Sequence, residues 1–422
     1  MSNGYYTFTR ITDFGPYVTR ILLPLPAPVV ASAVDTGCFS VHVRRLDERG
    51  DVMLLAKTWF DATNRVASQG YIPVTKAYPA NQQGQPLPEG NFLALEMAYG
   101  PLFPLSARVS CPQDHNVYVH MQYEITQIKA LESKDGTLSG LHYGFPLGDC
   151  MPAASGWHNS CSAGEEPLGY GYFIPQTAES SPRPLIVWLH GAGEGGQDPT
   201  IAYTANKVVA LTAPKVQALF GGAYVLAPQA PTFWMNDGSG EYGHTGKSIY
   251  SQALKACIDQ FIAQNPHIDR NRVFIGGDSN GGFMTMRMLI DFPDLFAAAF
   301  PICEALYDDV ITDENIAAIK DKGIWFTHAK NDPVVIPQET VEPTYHRLIK
   351  AGAQNVHFTF WDKIEDIHEG FTGENGQPFE YMGHFAWIPM LNDDCRLDYD
   401  GSPVTWDGQE VSLLTWLSRQ GL

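Results

Sequence analysis

Gly277-Asp278-Ser279-Asn280-Gly281 has the spacing G-x-S-x-G, with the apolar run Val273-Phe-Ile before it and a helical stretch to about Ile290 after it. A serine in a tight strand-to-helix turn, relieved by glycines, offers its hydroxyl as a nucleophile for acyl transfer. The same turn aims the next N–H, that of Asn280, at the oxygen that becomes negative. A hydroxyl at its free pKa attacks poorly, so a base and an orienting carboxylate are needed. Asp332, in His328-Ala-Lys-Asn-Asp-Pro-Val-Val335, lies just beyond an apolar strand and is the expected acid. His384, in Tyr381-Met-Gly-His-Phe-Ala-Trp387, is the expected base, with Gly383 beside it suited to a tightly placed loop. His368 competes for the role of base. Asp362 and Asp366 compete for that of acid, from a stretch that reads as an exposed polar turn.

A second loop, Val187-Trp-Leu-His-Gly-Ala-Gly-Glu-Gly-Gly196, admits two chemistries. Gly191, Gly193 and Gly196 fit the G-x-G-x-x-G spacing of a dinucleotide site. Such a site wants an acid about 20 residues on for the ribose, yet no Asp or Glu occurs between Asp198 and Asp237. A strand ending in His-Gly upstream of a serine turn instead fits a second oxyanion donor, the N–H of Ala192 or of Gly193. His190 and Glu194 then shape the loop, with Glu194 also open to substrate. Phe233, Trp234 and Trp387 are candidates for the acyl or alcohol pocket, against the alternative of ordinary core aromatics.

These residues need a parallel sheet to hold them. From about residue 168, apolar runs at 184–189, 223–227, 272–276, 297–302, 323–327 and 356–360 alternate with helical stretches, the pattern of a sheet covered on both faces. Ile249, Ala253, Leu254, Cys257, Ile258, Phe261 and Ile262 define one helix face. The first ~165 residues read as β by period-two alternation. Phe39, Val41 and Val43 form one such face, Leu93, Leu95, Met97 and Tyr99 a second, and 117–125 a third. Pro/Gly/Asn-rich turns such as 78–88 divide them, which predicts a β-sandwich. Residues 134–167 show no clear periodicity and read as linker. The expected domains are 1–165 and 166–422.

Composition limits the partners. The 422 residues carry 27 basic and 46 acidic side chains, a net charge of −19, which repels nucleic acid and anionic lipid and favours neutral or cationic small molecules. The 7 cysteines show no zinc spacing, so neither metal nor cofactor is expected, although Cys150 and Cys161 could form a local bridge. The apolar run at 21–30 lies too far in, and holds too many prolines, for a signal sequence, and no run approaches a membrane span. A cytoplasmic location is the expectation, or secretion if a leader has been trimmed.

In combination, 189–196, 268–282, 331–335 and 383–387 resemble the α/β-hydrolases. The chain is most similar to bacterial carboxylesterases related to polyhydroxyalkanoate depolymerases and prolyl-oligopeptidase-type hydrolases. Some of these carry an N-terminal immunoglobulin-like domain, matching the β-rich first ~165 residues. The resemblance implies an α/β-hydrolase fold behind that sandwich. It also implies Ser279 as nucleophile, Asp332 as acid, His384 as base, and ester hydrolysis through an acyl-enzyme. Alternatives are a prolyl-oligopeptidase-type peptidase, a polyester depolymerase, or a module whose sandwich binds sugar or builds a homo-oligomer.

Overall fold

The computed structural model describes residues 3–56, 65–112, 115–176 and 181–422. They form two compact units, Met1–Ser155 and Gly156–Leu422.

Alternation sets the strands of the first unit: β1 (Asn3–Thr12), β2 (Gly15–Val30), β3 (Phe39–Leu46), β4 (Glu89–Met97), β5 (His120–Gln127) and β6 (His142–Cys150). They lie side by side as β2–β1–β6–β5–β3, while β4 also pairs with β2. Phe39, Val41, Val43, Leu93, Leu95, Met97, Tyr123 and Ile125 share one buried core, as period-two burial requires. Pairing of β2 with β4 jumps from Pro24↔Phe92 to Val29↔Gly90, across the prolines that lack an N–H to donate. The alternation at 117–125 is broken at Val119: Val117–Tyr118 pairs with Val109–Ser110, and β5 starts at His120.

Residues 134–167 are not a linker. Within them β6 pairs in parallel with β1 and antiparallel with β5. Only Tyr143 of β6 is fully buried, so its sequence shows no alternating face. Further on, β7 (Trp157–Cys161) pairs with β8 (Gly169–Phe173) at an edge of the second sheet. That strand belongs to the second unit, which therefore begins at Gly156, not after residue 165.

The second unit continues with β9 (Arg183–Leu189), β10 (Tyr224–Gln229), α1 (Ser251–Gln264), β11 (Ile268–Asp278), α2 (Asn280–Asp291) and β12 (Ala298–Ile302). After these come β13 (Gly323–Ala329), α3 (Val341–Lys350), β14 (Val356–Trp361) and α4 (Trp387–Leu391). The sheet order is β7–β8–β10–β9–β11–β12–β13–β14. Strands β9 to β14 are all mutually parallel, and β7 and β8 are antiparallel. Burial on both faces explains the unbroken apolar runs: Leu185 to Leu189 and Val273 to Ile275 are wholly inaccessible. Helix α1 buries Leu254, Cys257, Ile258, Phe261 and Ile262. Ile249 precedes that helix and is 44% exposed, so the apolar face starts later than its spacing implied.

No helix among the described residues is long and apolar enough to cross a membrane. Cys150 and Cys161 are exposed thiols and form no bridge.

Candidate active site

Strand β11 ends at Asp278 and helix α2 starts at Asn280, which leaves Ser279 alone in the turn at φ 54°, ψ −112°. A side chain rarely tolerates this region, and such strain persists only where the surroundings over-determine it. Here the Ser279 N–H donates to the Ile302 carbonyl at the end of β12, and its own carbonyl accepts the Phe283 N–H of α2, both at 2.9 Å. As the first residue of α2, Asn280 has an N–H with no acceptor inside the helix. Its side-chain Oδ1 accepts the N–H groups of Trp234 and Met235, tying the loop after β10 to the turn.

His384 Nε2 lies 2.9 Å from Ser279 Oγ, and His384 Nδ1 lies 2.8 Å from Asp332 Oδ2. A carboxylate only accepts, so Nδ1 carries the proton and bare Nε2 faces the hydroxyl. Gly383 makes this approach possible: a methyl group there would overlap the backbone of Asn331. Asp332 Oδ1 accepts the N–H groups of Val334 and Val335, at 2.8 and 3.1 Å. A second histidine, fully buried His328, donates Nε2–H to Oδ2 at 2.9 Å and to the Val335 carbonyl at 3.1 Å. Burial pushes the Asp332 carboxyl up, but the hydrogen bonds from both histidines outweigh it and hold it well below the usual carboxylate range.

The glycine loop after β9 is built around His190. Its Nδ1–H donates to the Gly191 carbonyl at 2.6 Å, and its Nε2 accepts the Ala230 N–H at 3.0 Å. Burial pushes the imidazole down to about 4, against the opposing bond to Gly191, so the ring is a neutral brace. Ala192 and Gly193 open the short turn Ala192–Glu194, and their N–H groups precede its first internal bond. Below the loop, burial and then the charge of Glu194 push the Asp278 carboxyl well above its usual range, and Asn206 donates to it at 3.1 Å.

The comparisons with known proteins agree with this architecture. Residues 4–140 match the esterase Ig-like N-terminal domain, and residues 234–318 match the prolyl oligopeptidase family. A solved thermostable esterase aligns over 99% of this chain and 100% of its own, with 23% identity and a TM-score of 0.74. The chain is a serine hydrolase of the α/β-hydrolase fold. An acylaminoacyl peptidase from Pyrococcus horikoshii aligns with the hydrolase over 64% of this chain and 46% of its own, with 18% identity and a TM-score of 0.38. No curated protein sequence matches the hydrolase.

Of the three pocket candidates, Trp234 is a core residue of the hydrolase. It is fully buried and packs edge-on against Tyr250 at 6.0 Å, because its backbone, not its ring, is drawn to Asn280. Phe233 is partly buried and stacks on Tyr242 at 4.3 Å, and Tyr242 is 58% exposed. The Trp387 ring stands edge-on to the His384 imidazole at 5.9 Å. The rival residues lie elsewhere: His368 pairs with Asp394, Asp362 with Lys330, and Asp366 accepts the Tyr381 hydroxyl.

The sequence reading passed over three buried groups beside the site: His328, Cys303 and Glu304. The signal for His328 is its place at the end of β13, four residues before Asp332. That for Glu304 is a lone acid in the apolar stretch Ala297–Leu306. Glu304 Oε2 accepts the Leu306 N–H at 2.7 Å, whereas buried Oε1 has no partner among the described residues. Burial, opposed by that bond, pushes its carboxyl up to about 8 from 4.5. Between those values the folded chain keeps a proton that the unfolded chain releases. Stability from this group is thus complete below about pH 4.5 and falls as pH rises through 8. From about pH 5 to pH 8 the wild type should lose roughly 4 kcal/mol of unfolding free energy relative to Glu304→Gln, read by urea titration. Parallel pH courses for the two proteins would show that Glu304 is not responsible.

Proposed function

We propose that the hydrolase is a carboxylesterase acting on small to medium neutral or aromatic esters through an acyl-enzyme. The hydrogen-bonded line from Asp332 through His384 to Ser279 is the observation that supports this best. Ser279 Oγ attacks the ester carbonyl while His384 Nε2 takes its proton. Asp332 holds the imidazole in the tautomer that leaves Nε2 bare, and stabilises the imidazolium. The oxyanion is bound by the N–H of Asn280 and that of Ala192 or Gly193, each donor contributing roughly 3–4 kcal/mol. His384 then returns the proton to the leaving alcohol. A water, deprotonated by the same nitrogen, releases the acid and restores Ser279.

The ester reading is favoured over the peptidase one by the match of 4–140 to an esterase domain. A first unit that ends at Ser155 is also short for a propeller that gates peptides. The match of 234–318 to the prolyl oligopeptidase family keeps peptide amides in the test. The substrate panel is p-nitrophenyl esters of graded acyl length, aryl esters, a soluble polyester and a proline-containing peptide amide. Small esters should be turned over fastest. A peptide amide cleaved as fast as the best ester would overturn the reading.

The Phe233–Tyr242 stack is the proposed shelf for an aromatic acyl or alcohol group, with Trp387 backing the base. Phe233→Ala should raise KM for aryl esters about tenfold while changing that for ethyl esters little, as expected for loss of one aromatic contact. Equal changes for both ester classes would remove Phe233 from the pocket.

A further inference from the structure

Cys303 follows β12 and is buried against the site without any part in the hydrolytic steps. Its Sγ, a carboxylate oxygen of Asp332 and an imidazole nitrogen of His384 all lie within 4.8 Å of one another. The residue holds φ 35°, the left-handed region that β-carbon-bearing residues avoid, with its N–H donating to the Thr327 carbonyl at 2.7 Å. An uncommon backbone at this point is thus pinned between β12 and β13. We propose that Cys303, Asp332 and His384 form an inhibitory site for a thiophilic divalent cation of the zinc type.

The donor set decides the class of ion. One thiolate, one carboxylate oxygen and one imidazole nitrogen suit Zn²⁺ or Cd²⁺, whereas Mg²⁺ and Ca²⁺ demand shells made of oxygen. With bonds of about 2.0–2.3 Å, tetrahedral ligand atoms stand roughly 3.3–3.8 Å apart, so adjustments of no more than about 1 Å bring donor atoms that lie within 4.8 Å of one another onto an ion. A water or Ser279 Oγ completes four-coordination. Binding releases the thiol proton to solvent. Burial, and then the Asp332 charge, push the Cys303 thiol up, so without a cation the sulfur stays protonated and inert.

The inhibitory consequence does not depend on which imidazole nitrogen binds. At Nε2 the cation occupies the lone pair that receives the serine proton. At Nδ1 it displaces the bond to Asp332 and forces the proton onto Nε2, which then cannot accept. Either way the base is lost while the ion is bound. Inhibition rests on the catalytic roles proposed above, but binding of the ion does not.

The test is a Cd²⁺ titration followed by the ultraviolet thiolate-to-cadmium charge-transfer band, with Zn²⁺ as competitor. The exposed cysteines are removed throughout as Cys111→Ser, Cys150→Ser and Cys161→Ser. One equivalent of Cd²⁺ should raise the band, Zn²⁺ should displace it, and ester hydrolysis should fall in step and return with chelator. Added to this background, Cys303→Ser should abolish the first-equivalent band, and whatever hydrolysis it retains should be at least tenfold less sensitive to Zn²⁺. His384→Gln, which keeps the thiol, should weaken Cd²⁺ binding at least tenfold. Absence of the band, or its persistence in folded Cys303→Ser, overturns the site even if the protein hydrolyses esters. A band that forms while hydrolysis continues unchanged overturns the inhibition alone.

Discussion

Ser279→Ala should lower kcat on a p-nitrophenyl ester by about 10⁴–10⁶-fold, a loss of roughly 5–8 kcal/mol of transition-state stabilisation. The size follows from the interdependence of the three groups: without Oγ, His384 Nε2 has no proton to take and Asp332 no imidazolium to stabilise. A residual rate above water should survive, because the N–H groups of Asn280 and of the glycine loop do not depend on the hydroxyl. The fold should survive too, since the strained turn is held by the bonds of the Ser279 backbone to Ile302 and Phe283. Fluorophosphonate labelling should vanish with the activity while the urea midpoint stays near that of the wild type. An undiminished rate in the folded variant would mean that another group is the nucleophile.

Gly281→Ala should have a large effect on folding, about 3 kcal/mol or more. A methyl group at this position would overlap the Leu189 carbonyl and crowd that of His190. Both are backbone atoms at the end of β9, which is fixed between β10 and β11 and cannot retreat. Relief requires α2 to lift from the sheet, which also moves Ser279 away from His384. The expected result is poor recovery of folded protein, or a urea midpoint far below that of the wild type. A variant with wild-type stability would show that the strand and helix do not approach this closely.

The parts of this structure that were readable in advance are those where one local rule decides the outcome. Continuous apolar runs announce strands buried on both faces, and β9 to β14 obey that rule. The G-x-S-x-G spacing needs only a strand before it and a helix after, and both are present. Loop chemistry points to His384, with glycine beside it, and to Asp332, past the end of a strand, and the fold puts His384 against Ser279 and Asp332 against His384. Strand β6 shows no period-two signal because Tyr143 alone among its nine residues is fully buried, and its tie to β1 includes a polar contact in which Asp149 accepts the Thr7 and Thr9 hydroxyls. Trp234 takes the core alternative for a related reason. Its neighbour Phe233 is only partly buried, and which side chain of Phe233-Trp234 turns inward is set by the bonds that Asn280 makes to the backbone after β10. His328, Cys303 and Glu304 look like core filling in a linear sequence. Only the fold brings His328 and Cys303 to Asp332, and Glu304 against Gly282 near the start of α2.

Asp332 uses both carboxylate oxygens, one for two backbone N–H groups and the other for two imidazoles. The acid is therefore fully occupied before any ester arrives, and little solvent reorganisation remains for the moment when positive charge appears on His384. Binding energy from the remote parts of a substrate is not needed to assemble the base and is left to orient the carbonyl. On the proposed assignment of Phe233 and Trp387, selectivity among esters would then lie with the walls around them, where acyl and alcohol groups can be told apart without disturbing the chemistry.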